Sequence, residues 1–343
     1  MKRKGLLWLI SSFLFLSLTG FSGLMIKFHR EYHKVPSGHS IGNKMASVRA
    51  LKEKGVPFSF LVMGDPHLSS RTITLIKKAV KAGDYSFMVI LGDMVSRPDI
   101  RYHYFFLNRM TQEIQVPFPV FLVPGNHDID LFSEVKRMDR RVTPEIYESF
   151  YGPRNFDFVY NNCLFIICGV DPGNPSGYLS HLRDTLSKKG DGKRYRFIFM
   201  HNPPGLIGAF SFNLPNQDEF LNLLKTYRVT TCFFGDYHAY SRMWRDGTNL
   251  ILSGGGGGNL RDNQPEWGKF HHIMRVTVDE NSISEGMIVL QGAGINFSWT
   301  LKRWVFIGLL PTFNEKIWVL YVLPFFFLFW GIFSIRMFLK NWS

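Results

Sequence analysis

The 343-residue sequence predicts a layered α/β fold. Two observations carry this. Short, continuous apolar runs recur between about residues 56 and 290, with helix-patterned stretches between many of them. Runs of this length suit strands buried on both faces. The second observation is positional, because five short polar motifs each follow an apolar run directly. They are Gly64-Asp65-Pro66-His67, Gly92-Asp93, Gly125-Asn126-His127-Asp128, Met200-His201-Asn202 and Gly235-Asp236-Tyr237-His238. Strand ends are where α/β sheets gather functional groups.

Taken in order, strands are expected at 58–63, 87–91, 120–123, 164–168, 197–200, 231–234, 250–252 and 273–278. Helices are expected at 71–82, 102–115, 144–150, 180–187 and 217–227. In the first helix Ile73, Ile76, Ala79 and Val80 form an apolar stripe, and Lys77, Lys78 and Lys81 face water. The glycine run from Ser253 to Asn259 lacks the Lys-Ser/Thr of a P-loop and any helix pattern after it. It reads as a tight loop passing close under the polar motifs.

Both ends of the sequence are different in character. Residues 5–26 carry no charge and follow Met1-Lys2-Arg3-Lys4; residues 317–335 carry none and lie between Lys316 and Arg336. Each stretch matches the roughly 20 residues that span a bilayer core. The first is expected to be an uncleaved anchor, with a cleaved signal peptide as its alternative. The second is expected to be a transmembrane helix, with Trp318, Tyr321 and Trp342 suited to interface positions. Between them lie a central domain at 56–290 and a juxtamembrane segment at 291–316. Its basic, aromatic stretch from Trp299 to Pro311 is too short to cross and suits a position along the membrane surface. Two spans put both flanks on one side. The basic Lys2-Arg3-Lys4 then favours a central domain on the non-cytoplasmic side, although Lys27, Arg30 and Lys34 load the other flank similarly.

A net charge of +13 calls for an anionic partner. In a chain with two apolar spans, the lipid bilayer is the simplest one. Nucleic acid is not expected, since no nucleic-acid-binding motif is present. The three cysteines, Cys163, Cys168 and Cys232, exclude a disulfide scaffold and a Cys-x-x-Cys zinc site. Cys163 and Cys168 stand an odd number of positions apart on one apparent strand, so they face opposite sides and should not pair.

The residue types in the five motifs are those that bind divalent metals. Asp65 and His67 share a face if both extend a strand, so carboxylate and imidazole can converge on one ion. A carboxylate at Asp93 can bridge two cations through its two oxygens. Asn126 offers a neutral amide oxygen, and His201, Asp236 and His238 come from two further strand ends. Any one of these motifs alone reads as a turn, a cap or a satisfied core histidine. Five in series read as a dinuclear metal centre.

The order Asp-x-His, Gly-Asp, Gly-Asn-His-Asp, His, Gly-x-x-His resembles that of the calcineurin-like metallophosphoesterase superfamily, over roughly residues 58–278. The resemblance implies an α-β-β-α sandwich of two mixed sheets with metals at the strand ends. It implies one ion held by Asp65, His67, Asp93 and His238, and a second held by Asp93, Asn126, His201 and Asp236. It also implies that His127 acts on the leaving-group oxygen as general acid or transition-state stabiliser, oriented by Asp128; a third metal ligand is its alternative role. The family usually carries Gly-His-x-His where this chain has Gly235-Asp236-Tyr237-His238. Asp236 replaces a nitrogen with a harder, charged oxygen, which alters the second site and shifts its preference toward manganese, ferrous iron or magnesium.

The function expected from these features is membrane-anchored hydrolysis of phosphate mono- or diesters with two divalent ions (manganese, iron or zinc). The substrate suggested by the anchors is a lipid-linked phosphate or pyrophosphate. Alternatives are a nuclease of the same superfamily, or a catalytically impaired metal-binding membrane receptor. Arg97, His103, Asn202, Tyr237 and Arg242 lie near the motifs in sequence and could touch substrate or simply pack.

Overall fold

The computed structural model describes residues 3–32, 40–52, 55–171, 173–205, 207, 214–261, 268–292, 297–310 and 317–342. They form two units, one spanning Pro36–Asn296 and one joining Met1–Val35 to Phe297–Ser343. The first contains two mixed sheets with helices. Strands β1 (Phe58–Met63), β2 (Met88–Ile90) and β3 (Val120–Leu122) run parallel in one sheet. Strands β10 (His272–Val278) and β11 (Ile283–Val289) extend it antiparallel, giving the order β11-β10-β1-β2-β3. In the second sheet β5 (Cys163–Cys168), β6 (Tyr195–Met200), β7 (Thr231–Phe234) and β9 (Thr248–Ser253) are parallel. They are edged by antiparallel β4 (Phe156–Tyr160) and β8 (Tyr240–Arg245).

Alternation along each strand divides its side chains between two layers. Phe60, Phe87, Phe121, Phe165, Phe197, Phe199 and Phe233 meet between the sheets in one buried cluster. The Phe60 and Phe87 rings stack at 5.0 Å, and Phe60 meets Phe165 edge-on at 5.5 Å. Burying one such ring contributes about 1.5–3 kcal/mol, and each aromatic pair adds about 1 kcal/mol. The opposite face of the second sheet supplies Leu164, Ile166, Ile198 and Cys232 to another cluster, under helices α6 (Gly177–Lys189) and α7 (Gln217–Thr226). Cys163 joins the inner cluster and Cys168 the outer one, as the odd spacing requires.

Local chemistry sets the helix starts. The Ser69 hydroxyl accepts from the Thr72 N–H at the head of α3 (Ser70–Ala82). Asp99 caps α4 (Ile100–Asn108), and Thr143 caps α5 (Pro144–Tyr151), which has proline in its first turn. A short α2 (Met45–Arg49), absent from the sequence reading, precedes β1. The helix expected at 102–115 is α-helical only to Asn108; Arg109–Ile114 forms a π-turn ending at Gln115, whose φ is +53°. Thr111 returns its hydroxyl to the Leu107 carbonyl at 2.7 Å, within that change of pitch. Every expected strand is present, β1 and β7 with the expected ends and the others within two residues of them. Strands β4, β8 and β11 were not expected.

The other unit contains α1 (Arg3–Tyr32) and α9 (Ile317–Trp342), packed along their lengths. Trp8 meets Phe333, Phe15 meets Trp330, and His29 meets Tyr321, a register that makes the pair antiparallel. The Ser11 and Ser334 hydroxyls lie 3.1 Å apart. Both helices are long and apolar enough to cross a membrane, over Lys4–Lys27 and Trp318–Lys340. Helix α8 (Phe297–Arg303) continues into a π-turn, Trp304–Leu309, and Trp299, Val305 and Phe306 are buried within this unit. Lys2, Lys34, Lys316, Pro311, the Trp342 side chain and juxtamembrane residues 293–296 and 311–316 lie outside the described residues.

Candidate metal centre

The five motifs meet at the carboxyl ends of parallel strands drawn from both sheets. Asp65 and His67 follow β1, Asp93 follows β2, Asn126 follows β3, His201 follows β6, and Asp236 and His238 follow β7. The first sheet supplies four of these side chains and the second supplies three. Backbone bonds tie the crossing points together. The His67 N–H donates to the Asp93 carbonyl at 2.9 Å, and the Gly235 N–H to the His201 carbonyl at 3.0 Å.

Asp65, His67, Asp93 and His238 bring one ligand atom each to within 4.8 Å of one another. His67 Nε2 lies 3.1 Å from His238 Nε2 and 3.4 Å from Asp93 Oδ2; His238 Nε2 lies 3.7 Å from Asp65 Oδ1. A second set gathers around His201 Nε2. Asn126 Oδ1 is 3.0 Å away, Asp93 Oδ1 3.5 Å and Asp236 Oδ1 3.8 Å. Asp93 therefore belongs to both sets, one oxygen toward each.

The donor chemistry fits cations. His201 Nδ1 lies 2.7 Å from the Leu91 carbonyl, and His238 Nδ1 lies 2.7 Å from the Asn259 carbonyl. A carbonyl only accepts, so each Nδ1 carries the proton and each Nε2 presents a lone pair. The His201 lone pair then faces the Asn126 oxygen at 3.0 Å, while the His238 lone pair faces His67 Nε2, which can donate to it or share an ion with it. A positive ion resolves the acceptor-to-acceptor approach of His201 Nε2 and Asn126 Oδ1. Among the described residues, Asp65 Oδ2 and Asp236 Oδ2 are buried without a hydrogen-bond partner, which costs about 1–3 kcal/mol or more each unless an ion takes them. Burial pushes the Asp65 carboxyl well above the ordinary range and lifts Asp93 to about 7. Burial also lowers His238, favouring the neutral, ligating imidazole.

The backbone is strained where these groups emerge. Asp65, His67, Asp93 and Asp236 all have positive φ, from +47° to +64°. Non-glycine residues there cost roughly 1–3 kcal/mol each and persist where the surrounding structure holds them. The glycine run passes directly beneath. The Gly256 N–H donates to the Gly64 carbonyl at 2.8 Å and the Gly258 N–H to the Asp65 carbonyl at 2.9 Å. A Cβ on Gly258 would lie 2.8 Å from both the His67 and His238 rings.

His127 stands at the mouth of the site with its side chain about one-third exposed. Its Nε2 is 3.9 Å from Asp93 Oδ2, its ring is 4.9 Å from that of His67, and its backbone N–H donates to Asp93 Oδ1 at 2.9 Å. Asp128, expected to orient His127, is bonded to backbone N–H groups. Its two oxygens accept from the N–H groups of Gly125 (2.9 Å) and Val95 (3.3 Å). It thus ties the Asp93 loop to the Asn126 loop from inside the protein, and burial together with Asp93 raises its carboxyl to about 8.

The other residues near the motifs separate. Asn202 lines a cavity of about 110 Å³ beside Asn126, with Pro124, Ile129, Leu131, Phe132 and Val170 among its walls. Tyr237 is fully buried in the outer core, His103 is buried against the Tyr151 hydroxyl at 3.0 Å, and Arg242 pairs with Glu285 at 3.0 Å. Arg97 lines a different cleft. Sequence reading missed the Leu91 and Asn259 carbonyls that set the histidine tautomers, because a backbone acceptor carries no residue-type signal.

This arrangement defines a metal-dependent phosphoesterase. The chain matches the calcineurin-like phosphoesterase family over residues 58–240 and belongs to it. A purple acid phosphatase from yellow lupin seeds shares the fold, with a TM-score of 0.50 at 13% identity, over 68% of this chain and 52% of that one. GAP50, the anchor in the inner membrane complex of Plasmodium, superposes with a TM-score of 0.47 at 13% identity, over 74% of this chain and 96% of that one. Among curated proteins, the DNA polymerase II small subunit of Methanothermobacter thermautotrophicus is 27% identical over 153 residues, 36% of this chain. The chain spans 31% of that relative's length.

Proposed function

We propose that this protein is a membrane-anchored hydrolase of phosphate mono- or diesters that uses two divalent ions and acts on a lipid-linked phosphate or pyrophosphate. The observation that carries the two-ion reading is Asp93, with one oxygen 3.4 Å from His67 Nε2 and the other 3.5 Å from His201 Nε2. One ion is assigned to Asp65, His67, Asp93 and His238. The other is assigned to Asp93, Asn126, His201 and Asp236, with manganese, iron or zinc as candidates. Bound there, such ions supply charge stabilisation on phosphate and a nucleophile from water near neutral pH.

The chain's own residues do the rest. The Leu91 and Asn259 carbonyls keep the His201 and His238 Nε2 atoms unprotonated. His127, at the exposed mouth, holds a proton on Nε2 for the departing alkoxide. The Asn202 amide and the apolar wall of the adjoining cavity orient the ester's organic part. That apolar wall and the two membrane-length helices support a lipid-linked substrate, with the catalytic domain taken as residues 56–290 on the non-cytoplasmic side.

The test uses detergent-solubilised protein with added manganese and compares aryl phosphate monoesters and diesters with an Asp93→Asn control. Metal-dependent turnover that disappears in the control, with two ions per wild-type chain, is the expected result. One ion or none, with no turnover across several metals, would favour a metal-binding receptor. A wide preference for soluble over lipid phosphoesters would remove the lipid-linked part.

A further inference from the structure

Outside the metal centre, two loops that leave its motifs flank a second, open cleft. One loop follows Asp93 and runs into α4; the other follows Asp128 and runs to α5. They are stitched by the Val142 N–H donating to the Pro98 carbonyl at 3.1 Å and by a bridge between Asp99 and Arg141. The cavity measures about 470 Å³, room for a phosphorylated headgroup or a short polyphosphate. Arg97, Arg101, Lys136, Arg137 and Arg140 line it, against two carboxylates, Asp99 and Glu134.

Apart from Glu134, the carboxylates of these loops are held by partners. Asp99 caps α4 through the Arg101 N–H and also takes the Arg101 guanidinium at 2.8 Å. Asp139 holds Arg137 at 3.0 Å, and Asp130 holds Arg141 at 2.7 Å. Among the described residues, Arg97, Lys136 and Arg140 have no carboxylate within ion-pair distance. The Arg140 pKa is lowered first by burial and then by the charges of Arg101 and Arg137, with Asp99 and Asp139 offsetting part of that repulsion. Like charges gathered around a concavity are unfavourable unless an anion joins them. Guanidinium forks match the paired oxygens of phosphate and carboxylate alike, and a multiply charged phosphate group can engage several of these cations at once. The amino end of α4 adds its partial positive charge to the same space.

We propose that this cleft is a metal-independent binding site for a multiply charged phosphate group, separate from the phosphate that would be hydrolysed. Soluble polyphosphates and phospholipid headgroups offer the same chemistry. The site does not depend on the ions or on the reading of the catalytic residues.

The experiment titrates full-length, manganese-loaded protein in detergent with tripolyphosphate by calorimetry. Two classes of binding are expected, one of them weakened by salt. Arg97→Gln combined with Arg140→Gln should weaken that class by about tenfold or more, as loss of two charge-assisted contacts implies. Arg97→Lys combined with Arg140→Lys should retain much of it. Aryl phosphate turnover and melting temperature should be unchanged in both double variants, while Asp93→Asn should leave the salt-sensitive class intact. Unchanged tripolyphosphate binding in the glutamine variant would overturn the proposal. So would loss of that class in Asp93→Asn, since the metal centre would then be binding it. Reconstitution into phosphatidylcholine vesicles with and without phosphatidic acid separates the sources. Weaker tripolyphosphate binding in the presence of phosphatidic acid assigns the site to a lipid headgroup, and unchanged binding assigns it to a soluble phosphate.

Discussion

At the residue scale, His127 and Asp128 are adjacent in sequence but differ in surroundings and hence in expected behaviour. His127 is partly exposed, and its Nε2 stands 3.9 Å from Asp93 Oδ2, beyond hydrogen-bond reach. His127→Ala should leave metal stoichiometry and melting unchanged while lowering turnover by about 10²–10⁴-fold, the usual worth of a positioned acid. Asp128→Ala frees two buried N–H groups, Gly125 and Val95, and should cost about 1–3 kcal/mol of stability together with weakened metal binding. Unfolding curves and metal analysis of the two variants would separate the roles, and a normally stable Asp128→Ala would refute the loop-tying role. Asp93 adds a pH dependence. Its folded value of about 7 lies above the ordinary carboxylate value of about 4, so metal-free protein is stabilised by the protonated form at low pH and loses that as pH rises through about 7. A metal replaces that proton. The rise in melting temperature on adding manganese should therefore be larger at pH 7 than at pH 5; an equal rise would count against Asp93 as a ligand. Buried His103 and His272, each lowered to about 4, affect both forms alike and cancel in this comparison. The candidate ligands were legible in the sequence because each stands just past an apolar run. The bonding of Asp128 was not, since whether a carboxylate faces an imidazole or two backbone N–H groups depends on how two loops cross.

At the scale of elements, buried strands were easier to read than edge strands. Strands β1, β5, β6, β7 and β9 each carry a run of at least three consecutive apolar residues, because both faces are covered. Strand β8 reads Tyr-Ser-Arg-Met-Trp-Arg and β11 reads Ile-Ser-Glu-Gly-Met-Ile-Val, sequences whose pairing depends on β9 and β10 rather than on their own apolarity. The glycine run is a tightly constrained connection in the site. A Cβ on Gly254 would collide with the Tyr237 carbonyl and approach Asp65 Oδ2 to 2.8 Å. Gly254→Ala should cost about 1–3 kcal/mol by overpacking and reduce metal occupancy, read by denaturant unfolding and metal analysis. A fully occupied, stable variant would show that the loop yields more easily than its contacts imply.

At the scale of the whole molecule, the antiparallel contact of α1 with α9 brings together residues far apart in the chain. Ser11 and Ser334 touch, and the three native cysteines are buried in the other unit. Replacing both serines with cysteine should yield an intramolecular disulfide on mild oxidation, visible as a mobility change on a non-reducing gel; the single variants should show none. Failure of the double variant to cross-link would contradict the helix register. Helix length and apolarity were legible from the sequence, but this pairing was not, because apolar helices carry little pattern to specify a partner.

The division of the candidate ligands between the two sheets has a mechanical consequence. Ions seated among Asp65, Asp93 and Asn126 on one side and His201, Asp236 and His238 on the other would act as a clasp across one edge of the sandwich. The phenylalanine layer glues the two sheets together, whereas the clasp is removable. Chelation should therefore release the sandwich at that edge first, like a book opening from its fore-edge. Amide hydrogen exchange would then quicken at the carboxyl ends of β1, β2, β6 and β7 before it does at their amino ends.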